Sequence, residues 1–250
     1  MARSHVPEGP PPPPVVQRLR LRYAKRGRMR FTSTRDFARA LERALRRAQV
    51  PMAFSAGFHP HPRISYANAA ATGVASEAEY VELALAERCD PDAVRAALDA
   101  ALPPGLDVVE VVEAGPGSLA DRLEGSEWRI ELRGVTPEEA RPVVERFLAA
   151  PAVEVTRVLK NGPRTFDARG AVLALGVVPT SEGSCAILRA VVRHTTPSVR
   201  PDDILTALRA VTEFSPPVPP LVTRLAQGPL LGAGAGVADP LAADEGAGGS

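Results

Sequence analysis

Leu19, Leu21 and Tyr23 alternate with Arg18, Arg20 and Arg22. This period of two describes a β-strand with one face in an apolar core and the other carrying guanidinium groups. A helix would mix the two sets around its circumference. Helical spacing begins a few residues later, where Phe37, Ala40, Leu41, Ala44, Leu45 and Ala48 recur behind Ser33 and Thr34, either of which can cap the orphan backbone N–H groups. Pro51 ends that helix. An extended segment runs from Met52 to Tyr66, and Val81, Leu83 and Leu85 then alternate within a second clear strand. Asp90 and Pro91 open a helix through Val94, Ala97, Leu98 and Ala101, and Leu106 to Val112 is a final strand. The order is βαββαβ.

A second grouping repeats this order. Trp128, Ile130 and Leu132 alternate with Arg129, Glu131 and Arg133, and Thr136-Pro137-Glu138-Glu139 opens a helix continued by Val143, Val144, Phe147 and Leu148, with Pro142 in its early turns. Val153 to Leu159 and Cys185 to Val192 read as strands, Asp202 to Val211 as a helix and Leu221 to Ala226 as a last strand. The expected fold class is α+β, with two tandem ferredoxin-like domains whose helices cover one face of an antiparallel sheet and leave the other open. The expected layout is a disordered Pro-rich tail at 1–16, a basic domain at 17–114, a linker at 115–126, a second domain at 127–227 and a disordered Gly- and Ala-rich tail at 228–250.

Charge is distributed unevenly. The whole chain carries 30 Lys and Arg against 29 Asp and Glu, yet residues 18–47 hold twelve of the cations and only Asp36 and Glu42 as acids. Arg18, Arg20 and Arg22 are expected to project together from the sheet face opposite the helices. Lys25, Arg26, Arg28 and Arg30 follow in a loop, and Arg39, Arg43, Arg46 and Arg47 lie away from the apolar stripe of the helix. Such a block is the electrostatic footprint of a phosphate backbone, with RNA the more natural ligand. The competing reading pairs the arginines with Glu79, Glu82 and other carboxylates across strands. The outward sheet positions are arginines rather than aromatics, which argues against an RNA-recognition-motif stacking platform.

The stretch Gly57-Phe58-His59-Pro60-His61-Pro62-Arg63 is the most distinctive in the chain. Residues before proline favour extended geometry, so His59 and His61 can project toward the same side. Holding the loop is one role for them, and anion or substrate contact with Arg63 is another. Metal binding or acid–base work ranks last, since two ligands do not hold zinc. Asp167 and Arg169, two apart, form a candidate ion pair or polar-ligand site, and Ser33, Thr34 and Asp36 mark a helix start. No catalytic constellation, cofactor motif or metal site is assembled. Two cysteines, Cys89 and Cys185, form neither a disulfide framework nor a cluster site. A reduced cytoplasmic setting is expected, because no window approaches a membrane span and the N-terminus lacks a signal-peptide core.

Several runs together are similar to one family. They are Leu21-Arg22-Tyr23-Ala24-Lys25 with Gly27, Arg30-Phe31-Thr32-Ser33 with Asp36, Glu42-Arg43-Ala44 with Arg46-Arg47-Ala48, Pro51 with Phe54-Ser55, the Phe58 to Pro62 run, and Gly73 with Ser76-Glu77 and Glu79-Tyr80. Phe166-Asp167 with Arg169, and Arg200-Pro201, extend the likeness more loosely. The set resembles the bacterial radical SAM-associated proteins of unknown function (domain of unknown function 2344). The resemblance implies a radical SAM enzyme as partner. The chain lacks the three closely spaced cysteines of a radical-generating cluster, so it is expected to act without cleaving S-adenosylmethionine itself. The leading expectation is a non-catalytic accessory or substrate-binding protein working with a separate radical SAM enzyme on RNA. Alternatives are a stand-alone RNA-binding protein and a small RNA-processing enzyme using His59 or His61. The expected contact residues are Arg18, Arg20, Arg22, Lys25, Arg28, Arg30, Arg39, Arg43, His59, His61 and Arg63.

Overall fold

The computed structural model describes residues 13–159, 162–179, 185–234 and 236–244. Among these the chain forms ten β-strands and five α-helices, a mixed α+β architecture. These divide into two compact units, one holding the described residues of 13–72, 78–120 and 241–244, the other those of 73–77 and 121–240. Residues 1–12 of the expected Pro-rich tail and 245–250 of the other tail lie outside the described residues.

The first unit begins with β1 (Gln17–Lys25), a 3₁₀ turn (Gly27–Phe31) and α1 (Thr34–Arg47), and continues through β2 (Ile64–Ala67), β3 (Ala75–Leu85), α2 (Pro91–Ala101) and β4 (Leu106–Glu113). Its strands lie in the order β4-β1-β3, with β2 pairing β3. The β1–β4 ladder is antiparallel and shifts register between Arg22 and Tyr23, and Ile64 to Ala67 pair antiparallel with Leu83 to Tyr80. Alternation explains the core: Leu19, Leu21 and Tyr23 meet Phe37, Leu41 and Leu45 of α1, Val94 and Leu98 of α2, and Val81, Leu83 and Leu85 of β3. The Tyr23 and Phe37 rings stack with centroids 4.0 Å apart.

The opposite face of this sheet is closed at Arg20 while Arg18 stays exposed, which corrects the expectation of three arginines projecting together. Arg20 is only 1% exposed. Its Nη1 donates to both carboxylate oxygens of Asp244 at 2.9 Å, its Nε to Glu82 at 3.0 Å and its Nη2 to the Gly117 carbonyl. Asp244 also accepts from the Gly115 amide at 2.9 Å. Residues 241–244, expected as part of the second tail, thus pack into this unit. Leu241 is fully buried, and Asp244 is 2% exposed. The physical reason is the guanidinium, which is tolerated out of water only when carboxylates and carbonyls surround it.

The second unit contains β5 (Gly125–Arg133), α4 (Pro137–Ala149), β6 (Glu154–Leu159), β7 (Gly162–Asp167), β8 (Val172–Val178), β9 (Cys185–Arg193), α5 (Pro201–Thr212) and β10 (Leu221–Gly228). The short α3 (Leu119–Arg122) falls where the two units divide. Its sheet runs β10-β5-β9-β8, with each of these neighbouring pairs antiparallel. Residues 73–77 count with this unit, where Ala75 and Ser76 pair in parallel with Thr223 and Arg224. Thr136 and Glu139 close a capping box on α4, and Pro142 lies inside this helix. Trp128, Ile130 and Leu132 pack against Val144 and Phe147 of α4 and Ile204 and Leu208 of α5. The reading of 153–159 as a strand of the main sheet is corrected: among the described residues β6 pairs with β7 alone, in a separate two-stranded sheet. Its apolar residues are split between faces, Val155 being buried and Val158 80% exposed.

Asp244→Ala leaves the Arg20 guanidinium buried with one carboxylate fewer, so urea unfolding of that variant is expected to show a loss of about 3 kcal/mol. The double variant Arg20→Met, Asp244→Leu recovers most of the loss, since an apolar pair of similar volume needs no desolvated charge.

Candidate nucleic-acid interface

The cations of the first unit separate into a neutralised set and an unpaired set. Arg18 meets Glu82 at 3.0 Å, and Arg22 meets Glu110 at 3.1 Å. Arg20 is closed in as described above. Lys25 is buried and donates to the carbonyls of Ala70 at 3.3 Å and Thr32 at 3.5 Å, while Glu79 accepts from the Ala70 amide at 2.9 Å. Arg26 is held by Asp107 at 2.8 Å. Of the expected contact residues, Arg20 and Lys25 are thus part of the unit's interior, a correction with the same physical cause as for Arg20. An open cleft of about 450 Å³ is lined by Arg18, Arg20, Ser65, Tyr66, Glu82 and Ser118 among others. Its arginines already share the Glu82 carboxylate.

The unpaired set is built on α1. Ser33 caps this helix: its Oγ accepts from the Asp36 amide at 3.2 Å and donates to the Asp36 carboxylate at 2.7 Å. Phe37, Leu41, Ala44 and Leu45 are the buried side. Arg35, Arg39, Arg43 and Arg46, at steps of four, four and three, therefore form one exposed stripe opposite the core. At 1.5 Å per residue the stripe is about 16 Å long. Arg39 approaches Asp36 only at 4.0 Å, and Arg35, Arg43, Arg46 and Arg47 have no carboxylate partner among the described residues.

Arg28 is exposed, and Arg30 lies 4.6 Å over the ring of Phe31. His59, His61 and Arg63 are exposed on the loop before β2. That loop is tied at its base: the Ser55 amide donates to the His61 carbonyl at 2.9 Å, the His61 amide to Ser55 Oγ at 3.1 Å, and the Arg63 amide to the Ala53 carbonyl at 2.8 Å. On β2, the Tyr66 ring stands edge-on to Phe37 at 6.2 Å. Burial, and secondarily the charge of Glu42 on α1, push its hydroxyl up to about 12. Neither Arg35 nor Arg46 was among the expected contact residues. The four-residue step from Arg35 to Arg39 was the signal that could have found Arg35.

A family model described as "Uncharacterized protein conserved in bacteria (DUF2344)" matches residues 18–201. The chain belongs to this family. A search of curated proteins found no match.

Elsewhere in this DUF2344 family member, the other candidate groups hold backbone. Asp167 accepts from the amides of Val153, Arg169 and Gly170, and the Arg169 guanidinium donates to the carbonyls of Leu148 and Val172. The two side chains organise a turn instead of presenting a ligand site. Burial, then the charge of Glu87, push the Cys89 thiol above its ordinary value, opposite to an activated thiolate. No group of three or more potential metal ligands occurs among the described residues.

In the second unit, His194 Nδ1 lies 2.7 Å from the Leu123 carbonyl and Nε2 lies 2.7 Å from Ser126 Oγ. A carbonyl can only accept, so Nδ1 carries the proton and Ser126 donates to Nε2. Ser126 has no exposed surface, and the arrangement serves as an internal tie. Burial lowers the His194 pKa, with Arg224 adding to that effect and the Leu123 bond opposing it. A histidine lowered in the folded state binds fewer protons there than in the unfolded chain. Its contribution is intact above the unfolded value of about 6.5 and is lost as pH falls below it toward the folded value. Urea titrations on either side of that value should show a larger acid-side loss in the parent than in His194→Gln.

Proposed function

We propose that this chain is a non-catalytic accessory protein that holds RNA for a separate radical SAM enzyme. The observation carrying the RNA half is the Arg35, Arg39, Arg43 and Arg46 stripe, exposed and without close carboxylate partners on one rigid helix. Phosphates neutralised by such a row release counterions, which supplies affinity without sequence reading. The radical SAM half rests on the sequence resemblance and on a chain whose two cysteines cannot hold a [4Fe–4S] cluster. The radical chemistry then belongs to the partner, and this chain positions the substrate in a reduced cytoplasmic setting.

Each unit is read as a ferredoxin-like βαββαβ layer, the second with the β6–β7 hairpin inserted. The strand orders β4-β1-β3-β2 and β10-β5-β9-β8 support that reading. His59, His61, Arg28, Arg30 and Arg63 enter as supporting contacts. The ring nitrogens of His59 and His61 have no partner among the described residues to fix a tautomer, so nothing favours a proton-moving role.

Anisotropy titrations of a labelled RNA across a range of salt concentrations test the RNA half. Four phosphate contacts set a slope of log K against log salt of about −2.8 for a single strand, and Arg39→Ser with Arg43→Ser moves it to about −1.4. Salt-insensitive binding sinks the proposal. The enzyme half is tested by co-purification from native lysate: recovery of a radical SAM enzyme supports it, and no association even with RNA present removes it.

A further inference from the structure

The exposed aromatic side chains of this protein are not scattered. Phe31 is 58% exposed, Phe54 44%, Phe58 76% and Tyr66 37%. All four fall between residues 31 and 66, the stretch that also holds the arginine stripe. None of them is on the outward sheet positions where a stacking platform was sought. Phe31 ends the 3₁₀ turn two residues before the cap of α1, so it stands at the end of the helix that carries Arg35, and Arg30 already lies over its ring. Phe58 stands in the loop whose base is fixed by the Ser55 and His61 bonds, between Gly57 and His59. Tyr66 is beside α1 through its contact with Phe37.

An apolar ring left in water costs free energy, and exposed rings that alternate along the chain with cations lacking close carboxylates suit a ligand that carries anionic groups and flat faces together. Unpaired nucleotides have both. In a duplex the base faces are consumed by stacking, and phosphates, 2′-hydroxyls and base edges are what remain available. We infer that the ligand is single-stranded RNA, its phosphates along α1 and its unpaired bases stacked on Phe31 and Phe58. This rests on the RNA reading above and narrows it. Pro60 and Pro62 on either side of His61 restrict the loop, which reduces the entropy lost when a base settles on it.

The test uses the full chain with two probes, a short labelled single-stranded RNA and the same strand annealed to its complement. Phe31→Leu and Phe58→Leu replace exposed rings, so both variants are expected to fold, which circular dichroism checks. Each is expected to weaken single-strand binding by about tenfold, leaving the salt slope and duplex binding unchanged. Equal weakening on the duplex, or no weakening at all, overturns the inference. A parent chain that binds RNA through the arginine stripe but prefers duplex overturns it while leaving the RNA reading intact. A parent chain that binds neither probe overturns both. Phe58→Leu that keeps its RNA affinity but loses a co-purifying radical SAM enzyme makes the ring a protein contact and also overturns the inference.

Discussion

The Arg20 guanidinium is enclosed by Asp244, Glu82 and the Gly117 carbonyl, with almost none of its surface in water. A charge in that position is tolerable only when its donors are satisfied, and this requirement closes the face of β1 opposite the helices. Asp244 must be present, and the Gly115 amide also binds it. Residues 241–244 thereby become part of the first unit, with Leu241 buried three residues before Asp244. The polar groups behind the sheet thus serve the architecture.

That neutralisation determines where positive charge remains. Glu82 takes up Arg18 as well as Arg20, Glu110 takes up Arg22, and Asp107 takes up Arg26. Much of the charge left over lies on α1, whose apolar side is spent on the core and whose other side has Asp36, 4.0 Å from Arg39, as its one carboxylate within ion-pair distance among the described residues. A helix anchored by Phe37, Leu41 and Leu45 holds its arginines at fixed intervals. The exposed rings lie in the same stretch of chain, so exposed positive charge and exposed aromatic surface belong to one segment of the first unit.

Much of this was legible from residue order. The alternation at Leu19, Leu21 and Tyr23, the capped start of α1 and the capping box of α4 all appear where local pattern places them, because periods and caps depend on neighbours a few residues away. The β6–β7 hairpin was less legible. Val155 and Val158 look alike in sequence, yet three positions apart on a strand they face opposite sides, and Val155 joins the second unit's core while Val158 is in water. The rings of Phe31 and Phe58 also gave no sign of exposure, since an aromatic residue in a loop is equally suited to a core.

Residue order by itself determined the alternating strand, the apolar side of the first helix and the concentration of cations between residues 18 and 47. Only the tertiary structure decided which cations remain available. The acid that neutralises Arg20 lies 224 residues further along the chain, and Coulomb attraction and desolvation act through space, without regard to that separation.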